Sequence, residues 1–305
     1  MPRSRSSCFS GHRQKDDTSG GRDASGDPAV GRRDRRRRRR RRGVGGAPPL
    51  RRRRPAPRPG RSPDGPRGRR PVPRGGSRHP RRRPRPGRPR PSKIVCCGHN
   101  YAGHIREMGR DLPEHPTLFT KFADTLTGPA DAVTLPAWAG RPDWEAELAV
   151  VVGTPLHRAT RDEALAGVAG YTGANDLSVR AWQHHTGQWL PGKAFDATTP
   201  LGPVLVTPDE LDPATGLALT CRVNGEVVQS GDTADLVFDA PALLAYISAF
   251  TRLSPGDVVL TGTPAGVGAA TSPPRFLADG DVVEVSLQGV GVLTTPIRIE
   301  FEECA

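Results

Sequence analysis

The chain has 305 residues, a net charge of +13 and a hydrophobic fraction of only 35%, a low average that hides two different polymers. Residues 1–92 hold 32 Lys+Arg against 6 Asp+Glu, a net +26, whereas residues 93–305 hold 13 against 26, a net −13. The first part offers too little apolar surface to offset the entropy of ordering, about 1–2 kcal/mol per residue, so a second packed core is excluded there.

Residues 1–92 therefore read as a disordered Arg/Pro/Gly-rich extension. Runs such as RRDRRRRRRRR from Arg32 would hold nucleic acid only nonspecifically, through phosphate charge, because no Phe, Tyr or Trp follows Phe9 to stack on bases. The other reading is a mis-assigned start, so that the extension is never made. No apolar run reaches the roughly 18 residues of a membrane span, and the first 30 residues lack a secretory hydrophobic segment. The expectation is a cytoplasmic protein with no membrane contact. Five cysteines form no CxxC pair, and Cys96 and Cys97, adjacent in a strand, would face opposite sides as buried thiols.

From Lys93 the texture becomes that of one folded domain, residues 93–305. KIVCCG reads as a strand, NYAGHIREMG as a short helix closed by Gly109, and TLFTKF and AVTLP as short strands. WEAELAVVVG is a longer strand. TRDEALAGV is a helix with Thr160 as cap and Glu163 completing a capping box. VAGYTGANDLS is a strand that leads into a helical turn at SVRAWQHH. LALTCRVNGEVVQSG is a hairpin about Asn224-Gly225. DAPALLAYISAF is a helix capped by Asp239, with Leu243, Leu244, Ile247 and Phe250 on one face. The remainder is strand after strand, broken by glycine. Many short strands without βαβ alternation predict a mainly β, α+β domain. GTPAGVG lacks the Lys-Ser/Thr of a phosphate loop and the spacing of a dinucleotide site.

The chemistry concentrates in DWEAELAVVVG. Residues two apart in a strand share a face, so Glu145 and Glu147 present paired carboxylates. In a buried place one of them must take up a proton unless a cation intervenes. An all-oxygen set selects Mg2+ or Mn2+, with Ca2+ as a further option, and Asp176, at the end of an apolar strand, is the third candidate ligand. The competing reading puts both glutamates on a solvent face, with Trp144, Ala146 and Leu148 inward.

Six segments, KIVCCGHNYAGHIREMG, PTLFTKFADTLTGPADAVTLP, DWEAELAVVVG, GYTGANDLSVRAWQ, PGKAFDATTPLGP and VVLTGTPAGVG, fall in one order that resembles the fumarylacetoacetate hydrolase family from about Lys93 to Ile299. The resemblance implies a mixed β-sandwich roll, a homodimer, and Mg2+ or Mn2+ on Glu145, Glu147 and Asp176. It also implies a small-molecule diketo or oxo acid substrate. His104 and Glu107, three apart on one helix face, match the dyad that activates water in acylpyruvate-hydrolysing members, although such spacing alone is common on exposed helices. Lys193 matches a lysine that stabilises the enolate. Arg180 and Gln183 match a pair suited to substrate oxygens, Thr263 a threonine that binds a carboxylate, and Lys121 a weaker substrate-binding candidate. The expected reaction is metal-dependent hydrolysis of a carbon–carbon bond in an acylpyruvate-like diketo acid, within aromatic-compound breakdown. The alternatives are oxaloacetate decarboxylation and the isomerisation or decarboxylation of hydroxymuconate-type dienoates. A polyanion-binding protein acting through the arginine-rich extension is a third.

Overall fold

The computed structural model describes residues 91–300, apart from Met108 and the side chains of His104 and Glu107. The arginine-rich extension up to residue 90, with the readings made of it, lies outside the described residues.

The strands run β1 (Ile94–Gly98), β2 (Thr117–Lys121), β3 (Leu126–Thr127), β4 (Val133–Pro136), β5 (Pro142–Asp143), β6 (Ala146–Val152) and β7 (Val168–Asn175). They continue as β8 (Ser178–Val179), β9 (Thr199–Val206), β10 (Ala218–Val223), β11 (Glu226–Asp232), β12 (Val258–Leu260), β13 (Val282–Leu287) and β14 (Gly291–Glu300). The α-helices are α1 (Ala102–Glu107), α2 (Arg161–Ala166), α3 (Arg180–Gln183), α4 (Leu190–Lys193) and α5 (Ala240–Phe250).

A seven-stranded sheet in the order β2-β1-β12-β6-β7-β9-β3 packs on a five-stranded sheet, β11-β10-β13-β14-β4, and a small β5-β8 ladder completes the set. Three pairings are parallel, β1 with β12, β14 with β4 and β3 with β9, so both large sheets are mixed. The fold is the mainly β domain that the pattern of short strands predicts, arranged as the mixed sandwich that the resemblance implies. Leu148, Val150 and Tyr171 of the first sheet meet Leu219, Val283, Val285 and Leu293 of the second in one core. A smaller cluster, built on Cys96, Ala149, Ala174 and Leu260, lies on the opposite face of the seven-stranded sheet. Cys96 and Cys97 are buried free thiols in different clusters, as alternation requires.

Local signals act where they were read. Thr160 Oγ1 accepts from Glu163 N and Glu163 reaches back to Thr160 N, a complete capping box. Asn224 and Gly225 adopt φ of 53° and 83° between β10 and β11. Asp257, fully buried, ties the start of β1 to the start of β12: it accepts from Lys93 N at 2.9 Å, Ser92 Oγ at 2.7 Å and Ser254 N at 2.9 Å.

Two expectations need correction. The strand expected from Trp144 begins at Ala146, because Glu145 N donates to the Asn175 side chain at 3.0 Å instead of to a ladder partner. Phe250, expected on the buried face of α5, is 65% exposed. The buried stripe of α5 is Ala240, Leu243, Leu244, Ile247 and Ser248, and Phe250 falls at its margin in the last turn.

Candidate metal centre and active site

The register between β6 and β7 converges the acidic residues. Ala146 pairs with Asn175 and Glu147 with Ala174. Glu145 therefore lies opposite Asp176, whose amide donates to the Glu145 carbonyl at 2.8 Å. Side chains two apart on a strand share a face, and directly opposed residues share it too. Glu145, Glu147 and Asp176 thus project from the face that also carries Ala149 and Cys96, with one oxygen of each within 4.8 Å of the others. The solvent-face alternative is excluded, since Glu145 and Glu147 are 7% and 1% exposed while Trp144, Ala146 and Leu148 are buried on the other side.

Three cations close around the carboxylates. Lys121 Nζ, from the end of β2, donates to Asp176 Oδ1 at 2.7 Å and to the Leu177 carbonyl at 3.2 Å. Lys193 Nζ, from the end of α4, bridges Glu145 Oε2 and Asp176 Oδ2, both at 2.7 Å. Arg180, opening α3, pairs through Nε with Asp143 Oδ2 and through Nη1 with Glu145 Oε1, each at 2.8 Å, and Nη1 also donates to Gln183 Oε1 at 2.7 Å. Gly192 allows α4 to come this close to α3, because a Cβ there would stand 2.5 Å from Gln183 N.

Asp143 holds the arrangement from below. It is fully buried and also accepts from the amides of Trp144, Gly268 and Ala269 at 2.7–2.9 Å. Sequence reasoning assigned no role to Asp143, Asn175 or Gln229. The first stands two residues before Glu145 and was open to notice, but the Gln229 contact spans 83 positions to Ala146 and has no local signal.

Among the described side chains, four carboxylates, Asp143, Glu145, Glu147 and Asp176, face three cations. Glu147 is the one without a cationic partner; its Oε2 takes only the Gly262 amide, at 2.7 Å, from a residue at φ +101°. Burial, with Asp176 and Glu145 adding to it, pushes the Glu147 carboxyl well above the usual range. Burial alone would raise Asp176 as well, but Lys121 and Lys193 outweigh it and hold Asp176 below its ordinary value. For Lys193, burial works against the charge, yet Asp176 and Glu145 win and hold it above the usual lysine range, so it stays an ammonium. Burial, then Asp176 and Glu147, raise the neighbouring Cys96 thiol. With all four carboxylates ionised the cluster has one surplus negative charge, and that charge with three convergent carboxylates fits a hard divalent cation.

A cavity of about 280 Å³ opens over the cluster, lined among others by Glu145, Glu147, Arg180, Gln183, Lys193 and Thr263. Trp189, edge-on to both His99 and Phe119, forms an aromatic wall. Lys121 does not line this cavity; it meets Asp176 from the β2 side. His104 and Glu107 sit on α1, and their side chains lie outside the described residues.

A mixed β sandwich carrying a buried carboxylate trio that could hold a divalent cation, ringed by cations at the floor of a cavity, defines an enzyme fold with an acidic site. Residues 93–298 match the profile described as fumarylacetoacetate (FAA) hydrolase C-terminal, and the chain belongs to that family. It is 47% identical over 210 residues to the human protein named oxaloacetate tautomerase FAHD2A, mitochondrial, covering 68% of this chain and 67% of that one. The Bacillus subtilis oxaloacetate tautomerase YisK is 41% identical over 213 residues, 68% of this chain and 71% of the relative. A crystal structure described as 5-carboxymethyl-2-hydroxymuconate delta-isomerase from Mycobacterium smegmatis superposes with a TM-score of 0.63 at 39% identity, covering 70% of this chain and 81% of that one.

Proposed function

We propose that this protein enolises a 2-oxo dicarboxylic acid of the oxaloacetate class, interconverting its keto and enol forms, with Mg2+ or Mn2+ held by Glu145, Glu147 and Asp176. The observation that carries the reading is Lys193, an ammonium fixed 2.7 Å from both Glu145 and Asp176 and facing the cavity. When bound, the cation supplies Lewis acidity to the oxygens of a chelating 2-oxo acid. Lys193, an ammonium donor already bonded to Glu145 and Asp176, stabilises the charge that develops on the enolate oxygen. Arg180 commits Nε and Nη1 to Asp143, Glu145 and Gln183; Nη2, with no partner among the described residues, is left for a substrate carboxylate. The Gln183 Oε1 accepts from Arg180, which leaves its amide hydrogens for the cavity.

Tautomerisation takes a proton from C3 and returns one to the enolate oxygen with no net consumption of water; with the enolate stabilised by the groups just described, solvent water in the open cavity can carry that proton. The similarity to two proteins named oxaloacetate tautomerases supports this choice. Hydrolysis of an acylpyruvate, the expectation from sequence, keeps one specific support in the spacing of His104 and Glu107 on α1. The reading retains a homodimer and a cytoplasmic location as parts of the proposal. No helix among the described residues is long and apolar enough to cross a membrane, and the human relative's name places that protein in mitochondria.

The test is an ultraviolet assay of enol-oxaloacetate decay with Mn2+, run beside acetylpyruvate cleavage. Faster equilibration without carbon–carbon cleavage is expected, and His104→Ala should leave no hydrolysis to lose. Metal-dependent cleavage of acetylpyruvate with no effect on the enol would favour the hydrolytic reading. Inactivity in both assays would sink both.

A further inference from the structure

Thr263 is a cavity residue whose hydrogen-bonding sense is determined by a residue of the opposite sheet. Gln229 lies in β11 and is 1% exposed. Its Oε1 accepts from Ala146 N at 2.9 Å, and a backbone N–H can only donate. Its Nε2 donates to the Pro264 carbonyl at 2.9 Å, and a carbonyl can only accept. Both ends therefore fix one orientation of the amide. The same Nε2 stands 2.8 Å from Thr263 Oγ1, so Thr263 is an acceptor toward Gln229 and its own hydroxyl hydrogen must point elsewhere. That hydrogen meets no acceptor among the described residues, and Thr263 lines the cavity that holds Glu147 and Lys193.

We propose that Gln229 is a positioning residue that sets the Thr263 hydroxyl as a hydrogen-bond donor into the cavity, toward a carboxylate oxygen of the substrate. The proposal rests on the enolisation reading for the identity of that carboxylate. Ala146 sits between Glu145 and Glu147, so one buried amide ties the donor loop to the strand that carries two of the acidic residues. The tie fixes the distance between the carboxylate-binding donor and the enolising centre, which selects acids whose carboxylate lies close to the oxo group.

The experiment is a double-mutant cycle of Gln229→Glu and Thr263→Val in the full chain. Its readouts are calorimetric binding of oxalate in the presence of Mn2+, and kcat and KM for oxaloacetate. Gln229→Glu keeps the acceptor for Ala146 N but turns the donor into an acceptor, which draws the Thr263 hydrogen out of the cavity. Each single change is expected to weaken oxalate and raise KM by about tenfold or more, the worth of one hydrogen bond to a charged group, with kcat changed much less. The double variant is expected to be no worse than Thr263→Val alone. Additive losses, or a Thr263→Val protein that binds oxalate like the wild type, would overturn the proposal. If Gln229→Glu does not fold, Gln229→Met removes the donor without adding charge and is expected to erase the difference between threonine and valine at position 263; a surviving difference counts against us. A wild-type protein that binds oxalate but leaves the enol unaffected would refute enolisation, and the oxalate cycle would still judge Gln229.

Discussion

Glu147→Gln separates a cation site from a merely buried acid. Among the described residues Glu147 is the one of the four clustered carboxylates without an ion-pair partner, and its ionisation is opposed first by burial and then by Asp176 and Glu145. Glutamine has the same shape, is neutral, and can still accept from Gly262 N, now 2.7 Å from Glu147 Oε2. The metal-free variant is therefore expected to be as stable as the wild type to within about 1 kcal/mol, the tolerance for a neutral isostere that keeps its hydrogen bond. The difference lies in the response to Mn2+. At a hundredfold excess over its dissociation constant, a ligand that binds only the folded state adds about 2.7 kcal/mol. For a domain of this size that is worth roughly 5–11 °C in Tm. Scanning fluorimetry with and without Mn2+, reversed by a chelator, should show that shift in the wild type and little or none in Glu147→Gln. Equal shifts in both proteins would show that the cation binds elsewhere and would remove the basis for the carboxylate trio. Collapse of the metal-free variant would show that Glu147 is needed ionised for folding, against the reasoning from its raised pKa.

Lys193→Met should abolish turnover and cost about 3–5 kcal/mol of stability, because it removes the cation shared by Glu145 and Asp176 and leaves four buried carboxylates to Lys121 and Arg180 alone, with Mn2+ restoring part of the loss in a thermal melt. Arg180→Lys cannot reach Asp143, Glu145 and Gln183 from one point charge, so we expect KM for oxaloacetate to rise about tenfold or more with a smaller fall in kcat, read from steady-state kinetics. Asp257 gives a pH test away from the cavity. Burial would raise its pKa, but bonds from Ser254 N, Ser92 and Lys93 outweigh burial and hold it below the ordinary value. A carboxyl depressed on folding stabilises above its unfolded pKa, about 3.9, and that contribution is lost as pH falls through the folded value. Asp257→Asn should therefore cost about 1–3 kcal/mol at neutral pH, and urea melts should show the gap to wild type closing below about pH 4. A gap that stays constant down to pH 2 would refute the assignment.

Periodicity and local bonding made much of this molecule legible from its letters. The capping box at Thr160, the Asn224-Gly225 turn and the shared face of Glu145 and Glu147 depend on residues a few positions apart, where chain geometry leaves little freedom. The tertiary structure decided which charges compensate which. Arg180 meets Asp143 across 37 positions, Gln229 meets Ala146 across 83 and Gly262 meets Glu147 across 115, and no periodicity encodes such pairs. Nor could alternation say that β6 would be covered on both faces, which makes the two glutamates buried instead of solvated. A carboxylate's charge state follows from its solvent exposure and its neighbours, and both are set when the sheets and loops close over it.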